Sequence, residues 1–210
     1  MRKAPLVAGV LMILITTGCV VIEPYPDEWP KLGEAPKVGC PDLSGTYRDL
    51  AEDPKSCTPN ARGEIFSLCS LGTALQAYAL SSLDFHYRLA QFHDRFTEIS
   101  KWKNGLLTFR VLGRNGTITK RTIRLDNKHV QCNEKGLVLS EIGSDAFGGT
   151  GLVPGKFKAT FQLGEDGSLI MKSSGFAGGV MVILPVVMVG QQWLRWVRAT
   201  PGPVQPQSLR

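Results

Sequence analysis

Asn104-Gly105 and Asn115-Gly116 stand eleven residues apart with an alternating stretch between them, and few folds accept that arrangement. Asn-Gly takes up the positive φ angles that two-residue hairpin turns require, so each pair predicts a strand on either side. Between them Leu107, Phe109 and Val111 fall on one face of Leu106–Leu112, because side chains alternate along a strand. Arg95–Lys103 is then the strand before the first turn. Thr117–Leu125 follows the second, with Arg121, Ile123 and Leu125 on one face. His129–Cys132 turns through Asn133-Glu-Lys-Gly136 into Leu137–Ile142. Lys156–Leu163 alternates most regularly, with Phe157, Ala159, Phe161 and Leu163 inward and Lys156, Lys158, Thr160 and Gln162 outward. Asp166-Gly167 leads into Ser168–Ser173, and Gln192–Ala199 reads as the last strand. Consecutive hairpins at this spacing predict a mainly β domain, an antiparallel meander that is barrel-like or folded as a sandwich. Closure would remove the open edges through which strands aggregate.

The rest of the domain adds one short helix, which makes the class α+β. Cys40-Pro-Asp-Leu-Ser-Gly-Thr-Tyr-Arg opens it, with Leu43, Gly45 and Tyr47 on one face of a first strand. Pro54, Pro59 and Asn60 mark 51–62 as loop. Ile65, Leu68, Cys69, Leu75 and Ala79 recur at helical spacing over Glu64–Leu80, although Gly72 weakens that helix. In Asp84–Asp94 two patterns compete. Phe85, Leu89, Phe92, Phe96 and Ile99 make a helical stripe, while the Asn104-Gly105 turn asks for a strand just ahead of it. Gly175–Gly190 is uncharged and broken by Pro185. It reads as a buried strand bent at the proline, or as an apolar loop that meets a membrane or a ligand.

Ahead of the domain, Arg2 and Lys3 precede the apolar run Leu6–Ile15, and Thr17-Gly18 leads into Cys19. Charge, apolar run and small residues in that order are the three regions of a secretory signal. Gly18-Cys19 resembles the lipobox of bacterial lipoproteins, with Thr16 where leucine is usual and Ile15 one place early. The resemblance implies cleavage after Gly18, a diacylglycerol on the Cys19 thiol and acylation of the new amino group. Buried acyl chains contribute about 0.8 kcal/mol per methylene, and two or more chains hold a protein stably. Val20 rather than aspartate follows the cysteine. By resemblance to the sorting of enteric lipoproteins, that implies the outer membrane with the body facing the periplasm. An uncleaved anchor is the alternative, since Leu6–Ile22 is nearly apolar and reaches the shortest spanning length of roughly 17 residues. Residues 1–18 are thus read as signal and 19–38 as a lipidated tether stiffened by Pro24, Pro26, Pro30 and Pro36. Residues 39–200 form the β-rich domain and 201–210 a flexible tail. The layout from the Leu-Ser-Gly-Thr-Tyr strand to the Trp193-Leu-Arg-Trp196 strand is similar to that of a group of periplasmic β-rich lipoproteins, which carries no activity with it.

Cys40, Cys57, Cys69 and Cys132 remain once Cys19 is lipidated. An even number in an oxidising compartment predicts two disulfides, with three connectivities open. Cys57 and Cys69 could staple the loop between them, and Cys40 would then tie the domain entrance to the strand of Cys132. The formal charge is +6, and losing Arg2 and Lys3 leaves 22 basic against 18 acidic residues, about +4. That mild excess is read as a solvated surface. Lys101, Lys103, Arg110, Arg114, Lys120, Arg121, Arg124 and Lys128 concentrate it on two hairpins, where lipid phosphates or glycan carboxylates could bind. The compartment argues against nucleic acid.

Catalytic signals are weak. His86 and His93, near Asp84 and Asp94 in the chain, would lie two turns apart on one face of a helix, yet lack a third ligand and the i, i+4 spacing of zinc-protease helices. Ser70 and Ser140 are in no Gly-x-Ser-x-Gly turn, and Gly148-Gly149-Thr150-Gly151 reads as a loop rather than a phosphate cradle. No cofactor is expected. The sequence therefore predicts a membrane-anchored, non-enzymatic module that binds or assembles with an envelope protein, lipid or glycan. The alternatives are a small barrel carrying an apolar ligand and a periplasmic hydrolase.

Overall fold

The computed structural model describes residues 17–34, 36, 39–52, 57, 64–80, 86–88, 94–125, 129–143, 155–181 and 184–199. Their strands are β1 (Thr17–Ile22), β2 (Gly45–Arg48), β3 (Glu64–Phe66), β4 (His86–Arg88), β5 (Phe96–Ile99), β6 (Leu106–Gly113), β7 (Gly116–Arg124), β8 (Val130–Asn133), β9 (Gly136–Gly143), β10 (Gly155–Leu163), β11 (Leu169–Met181) and β12 (Leu184–Trp196). A 3₁₀ turn, Ser67–Cys69, leads to the helix α1, Leu71–Leu80. The first Asn-Gly turn forms where the sequence puts it, while the second hairpin turns one residue earlier, at Arg114-Asn115, with Gly116 already paired to Gly113. Asn104 and Gly105 take φ of 52° and 72°, and the Lys103–Leu106 bridge closes their turn. Gly116, Gly136 and Gly167 also have positive φ and begin or precede β7, β9 and β11.

A six-stranded sheet runs β1-β12-β11-β10-β9-β8, a four-stranded sheet β2-β5-β6-β7, and β3 pairs with β4. All pairs are antiparallel except β1 with β12. The two larger sheets are joined along one seam. The Arg48 amide donates to the Val197 carbonyl (3.0 Å) and the Ala199 amide to the Thr46 carbonyl (2.8 Å). Among the described residues β7 and β8 are not paired, so the sheets do not close into a barrel and the domain is sandwich-like.

One core serves both sheets. Leu107, Phe109 and Ile123 face it from the small sheet, and Leu139, Phe161, Leu194 and Trp196 from the large one. Phe161 and Trp196 stack with centroids 6.4 Å apart, and Trp196 Nε1 donates to the Cys69 carbonyl at 3.1 Å. Each such large side chain contributes roughly 1.5–3 kcal/mol when fully buried. Helix α1 fills the gap against β6 and β9 with Leu71, Ala74 and Leu75. The helix predicted over Glu64–Leu80 begins only at Leu71. Glu64–Phe66 is taken by pairing with β4, and the cap lies at Ser70, whose hydroxyl accepts the Thr73 amide (3.2 Å). Fully buried Asp49 completes the start. Its Oδ1 accepts the Gly72 amide (2.8 Å) and the Thr97 hydroxyl (2.6 Å), and its Oδ2 the Ser70 hydroxyl (2.8 Å). Gly72 is there for space, since a Cβ would stand 2.3 Å from Val111 Cγ2.

Disulfides join Cys40 to Cys132 and Cys57 to Cys69. The first fastens the domain entrance to β8, the second the loop at Cys57 to the 3₁₀ turn beneath α1. No helix among the described residues is long and apolar enough to cross a membrane. The apolar run before Thr17 lies outside them, as do residues 201–210.

Candidate membrane-anchoring site

Cys19 sits in β1, the edge strand of the large sheet. The register places it opposite Met188 of β12, with Val20 against Val189, Val21 against Gly190 and Ile22 against Gln191. Val20, Val21 and Ile22 are each about 60% exposed, so this strand adds an apolar surface rather than covering one.

The chain after β1 then stays on the sheet. The Glu23 amide donates to the Gln191 carbonyl (3.0 Å). The Glu23 carbonyl accepts Gln191 Nε2 (3.0 Å) and Trp193 Nε1 (3.2 Å). Tyr25 meets Trp193 and Trp29 edge-on, at centroid distances of 5.0 and 5.9 Å, and its hydroxyl donates to the Pro30 carbonyl. Further on, the Gly33 amide donates to the Leu163 carbonyl and the Glu165 amide to the Lys31 carbonyl. The proline-rich segment read as a tether runs along the domain's face from Glu23 to Gly33. Its prolines lack donors for a continuous ladder, so separate backbone bonds at Glu23, Lys31 and Gly33 and the side-chain bonds of Gln191 and Trp193 hold it.

Beneath this segment lies a polar knot. Arg195 donates through Nη2 to Asp166 (2.6 Å) and through Nη1 to Glu52 (3.4 Å), and through Nε to the Ser168 hydroxyl (3.3 Å). Burial pushes the Asp166 carboxyl up. The Ser168 hydroxyl and amide and the Arg195 guanidinium outweigh that and hold it below the ordinary carboxylate value. Burial also raises the Tyr25 phenol, with Arg195 opposing and Asp166 adding to the shift. These groups satisfy one another, and the knot pins the Asp166-Gly167 turn to β12.

The stretch Gly175–Gly190 is neither a single bent strand nor a loop. It belongs to a hairpin of two thirteen-residue strands, β11 and β12, paired from Leu169–Trp196 out to Met181–Leu184. Pro185 pairs with Val180 just beyond the reach of β1, whose first residue Thr17 faces Val186. An outer edge is where a missing donor costs least. Residues 182 and 183 lie outside the described residues.

His86 is in β4 opposite Phe66, not on a helix, while Asp84 and His93 lie outside the described residues. Asp94 pairs with Arg114, whose Nε donates to it at 2.7 Å. The Ser70 hydroxyl is occupied in the cap, and Ser140 bonds the His129 carbonyl. No group of three histidines, cysteines or acidic residues gathers as a metal site among the described residues. In the basic set, Lys101 pairs with Asp42 and Arg110 with Glu98. Lys128 and Gly148–Gly151 lie outside the described residues.

Comparison with known proteins identifies no relative: no family, curated protein or solved structure matches the chain.

Proposed function

We propose that this chain is a lipid-anchored protein of the bacterial outer membrane, acylated at Cys19 and facing the periplasm, and that it acts as a non-enzymatic binding or assembly module. One observation carries the reading. The two disulfides use four of the five cysteines and leave Cys19 over, at the Gly18-Cys19 junction that resembles a lipobox. The disulfides themselves fit an oxidising compartment. The core supports a scaffold rather than a carrier. Tyr47, Phe109, Phe161 and Trp196 are all fully buried and packed in the core that the sheets share.

Cys19→Ser tests the anchor. Fractionation of cells should find the wild-type chain with the outer membrane, and the variant uncleaved or released. A variant that remains processed and membrane-bound would refute acylation at Cys19.

A further inference from the structure

We infer that the outer part of the β11–β12 hairpin is a second membrane contact. It is an apolar arm that rests in the headgroup–acyl boundary of the leaflet holding the Cys19 lipid. This inference rests on the anchor proposed above and adds a surface the lipobox does not imply.

Geometry leaves the anchored domain little freedom. Glu23 is bonded to Gln191 and Trp193 of β12, and it follows Cys19 by four residues. At no more than about 3.6 Å per residue, that chain reaches roughly 14 Å. An acyl group on Cys19 therefore brings the distal half of β12 to the membrane surface, with no spacer between. Because β1 runs parallel to β12, Cys19 lies toward the end of β12 where the hairpin turns.

The chemistry of that end matches a lipid boundary. No charged residue stands between Lys172 and Arg195, so both faces of the arm are uncharged, unlike β10 with its outward Lys156 and Lys158. Along one register row, Lys156 pairs with Phe176, Phe176 with Val189 and Val189 with Val20. Phe176 is about half exposed and Val20 64% exposed. Apolar groups in register across three strands, exposed at Phe176 and Val20 and partly buried at Val189 between them, form a patch of the kind that marks an interaction surface. Lysines border it. Lys156 ends the row, Lys158 is exposed two residues on, and the Lys172 ammonium lies 5.2 Å from the centre of the Trp193 ring. Basic residues and tryptophan beside an apolar surface suit the anionic headgroup level.

Backbone pairing sets the depth. β10 reaches only to Gly155, opposite Ala177. Among the described residues Gly178–Met181 therefore pair with β12 alone. Open strand edges are not tolerated in hydrocarbon, which suits an arm that rests in the interfacial zone, about 5–10 Å deep.

The test uses the acylated full chain in vesicles of phosphatidylethanolamine and phosphatidylglycerol. An environment-sensitive fluorophore is placed at Met181→Cys, at Phe176→Cys or, as the aqueous control, at Ile118→Cys on β7, a side chain 54% exposed. With Cys19 acylated and the other cysteines paired, the new thiol is the one that labels. The labels at 176 and 181 should shift to the blue and lose intensity to lipids carrying a quencher near the headgroup end of the acyl chain. The label at 118 should do neither. Labels at 176 and 181 as water-exposed as that at 118 would overturn the inference. So would shielding of these labels in vesicle-free Cys19→Ser chain with a dimer's mass, which would give the arm to a second copy. Mass spectrometry of the same sample reads the anchor separately. If Cys19 is unmodified, the anchor reading fails by itself, and the labels are read on Cys19→Ser chain mixed with the vesicles. Quenching there supports the arm, and water-like emission removes it.

Discussion

Tyr47 shows how much one buried polar group decides at the scale of a residue. Its ring is fully buried under the seam between the sheets, and its hydroxyl donates to the Leu43 carbonyl at 3.0 Å. Burial pushes the phenol up to about 12, with Arg198 opposing and Asp42 adding. The unfolded chain releases this proton near pH 10, while the folded chain keeps it. The contribution of Tyr47 is therefore complete below about pH 10 and is lost as pH rises toward about 12, because folding then requires a proton that the unfolded state no longer binds. Urea denaturation at stepped alkaline pH should show this decline. Tyr47→Phe should flatten that part of the curve and lose about 1 kcal/mol at neutral pH, the usual value of one hydrogen bond. The strand pattern of Leu43, Gly45 and Tyr47 already marks the inward face. The hydroxyl's partner, four residues back on the main chain, is not written in it.

At the scale of elements, the turns and strands that depend on local residues are the ones the sequence discloses. Gly136 and Gly116 both begin strands with positive φ, of 118° and 105°. They differ in surroundings. A Cβ on Gly136 would lie 2.2 Å from the Phe161 carbonyl oxygen of β10, while Gly116 has nothing within 4 Å. Gly116→Ala should cost about 1–2 kcal/mol from backbone conformation alone. Gly136→Ala should cost about 1–3 kcal/mol more, because two paired strands must separate. Thermal unfolding of both variants checks the difference, and equal losses would contradict it. Alternation in β6 and β10 and the turns between hairpins are legible because each rests on neighbours in sequence. The start of α1 is not, since apolar spacing runs unbroken from Ile65 into the helix while Asp49, which completes its cap, lies 23 residues from Gly72. The length of β11 and β12 is hidden for another reason. Between Lys172 and Arg195 the hairpin carries no charge on either face, so no alternation of charge marks its strands. The docking of Glu23 on Trp193, 170 residues away, depends on the folded register and leaves no local trace. At the proposed anchoring site, Cys19 is visible in the sequence, whereas the surface it adjoins is not.

For the whole molecule, the two disulfides hold different things together. Cys57–Cys69 closes a separation of 12 residues and Cys40–Cys132 one of 92. On the chain-entropy account a short loop of about 15 residues yields roughly 3 kcal/mol and one of about 100 roughly 4.7 kcal/mol. Replacing Cys40 and Cys132 together with alanine should therefore cost on the order of 1–2 kcal/mol more than replacing Cys57 and Cys69, as read by denaturant midpoints at unchanged slope. The longer bridge also fixes the domain entrance, where the segment from the proposed anchor arrives. With Glu23 to Gly33 bonded along the sheet, the proposed anchor, the apolar arm and the large sheet become parts of one rigid attachment, and partners in the envelope would meet a domain of fixed orientation. The claim on which this picture depends is the chemistry of one residue. Tandem mass spectrometry of the mature N-terminal peptide tests it most directly. The account predicts a chain beginning at Cys19 with a diacylglyceryl group on sulfur and an acyl group on the amine. An N-terminus elsewhere, or a bare Cys19 thiol, would contradict it.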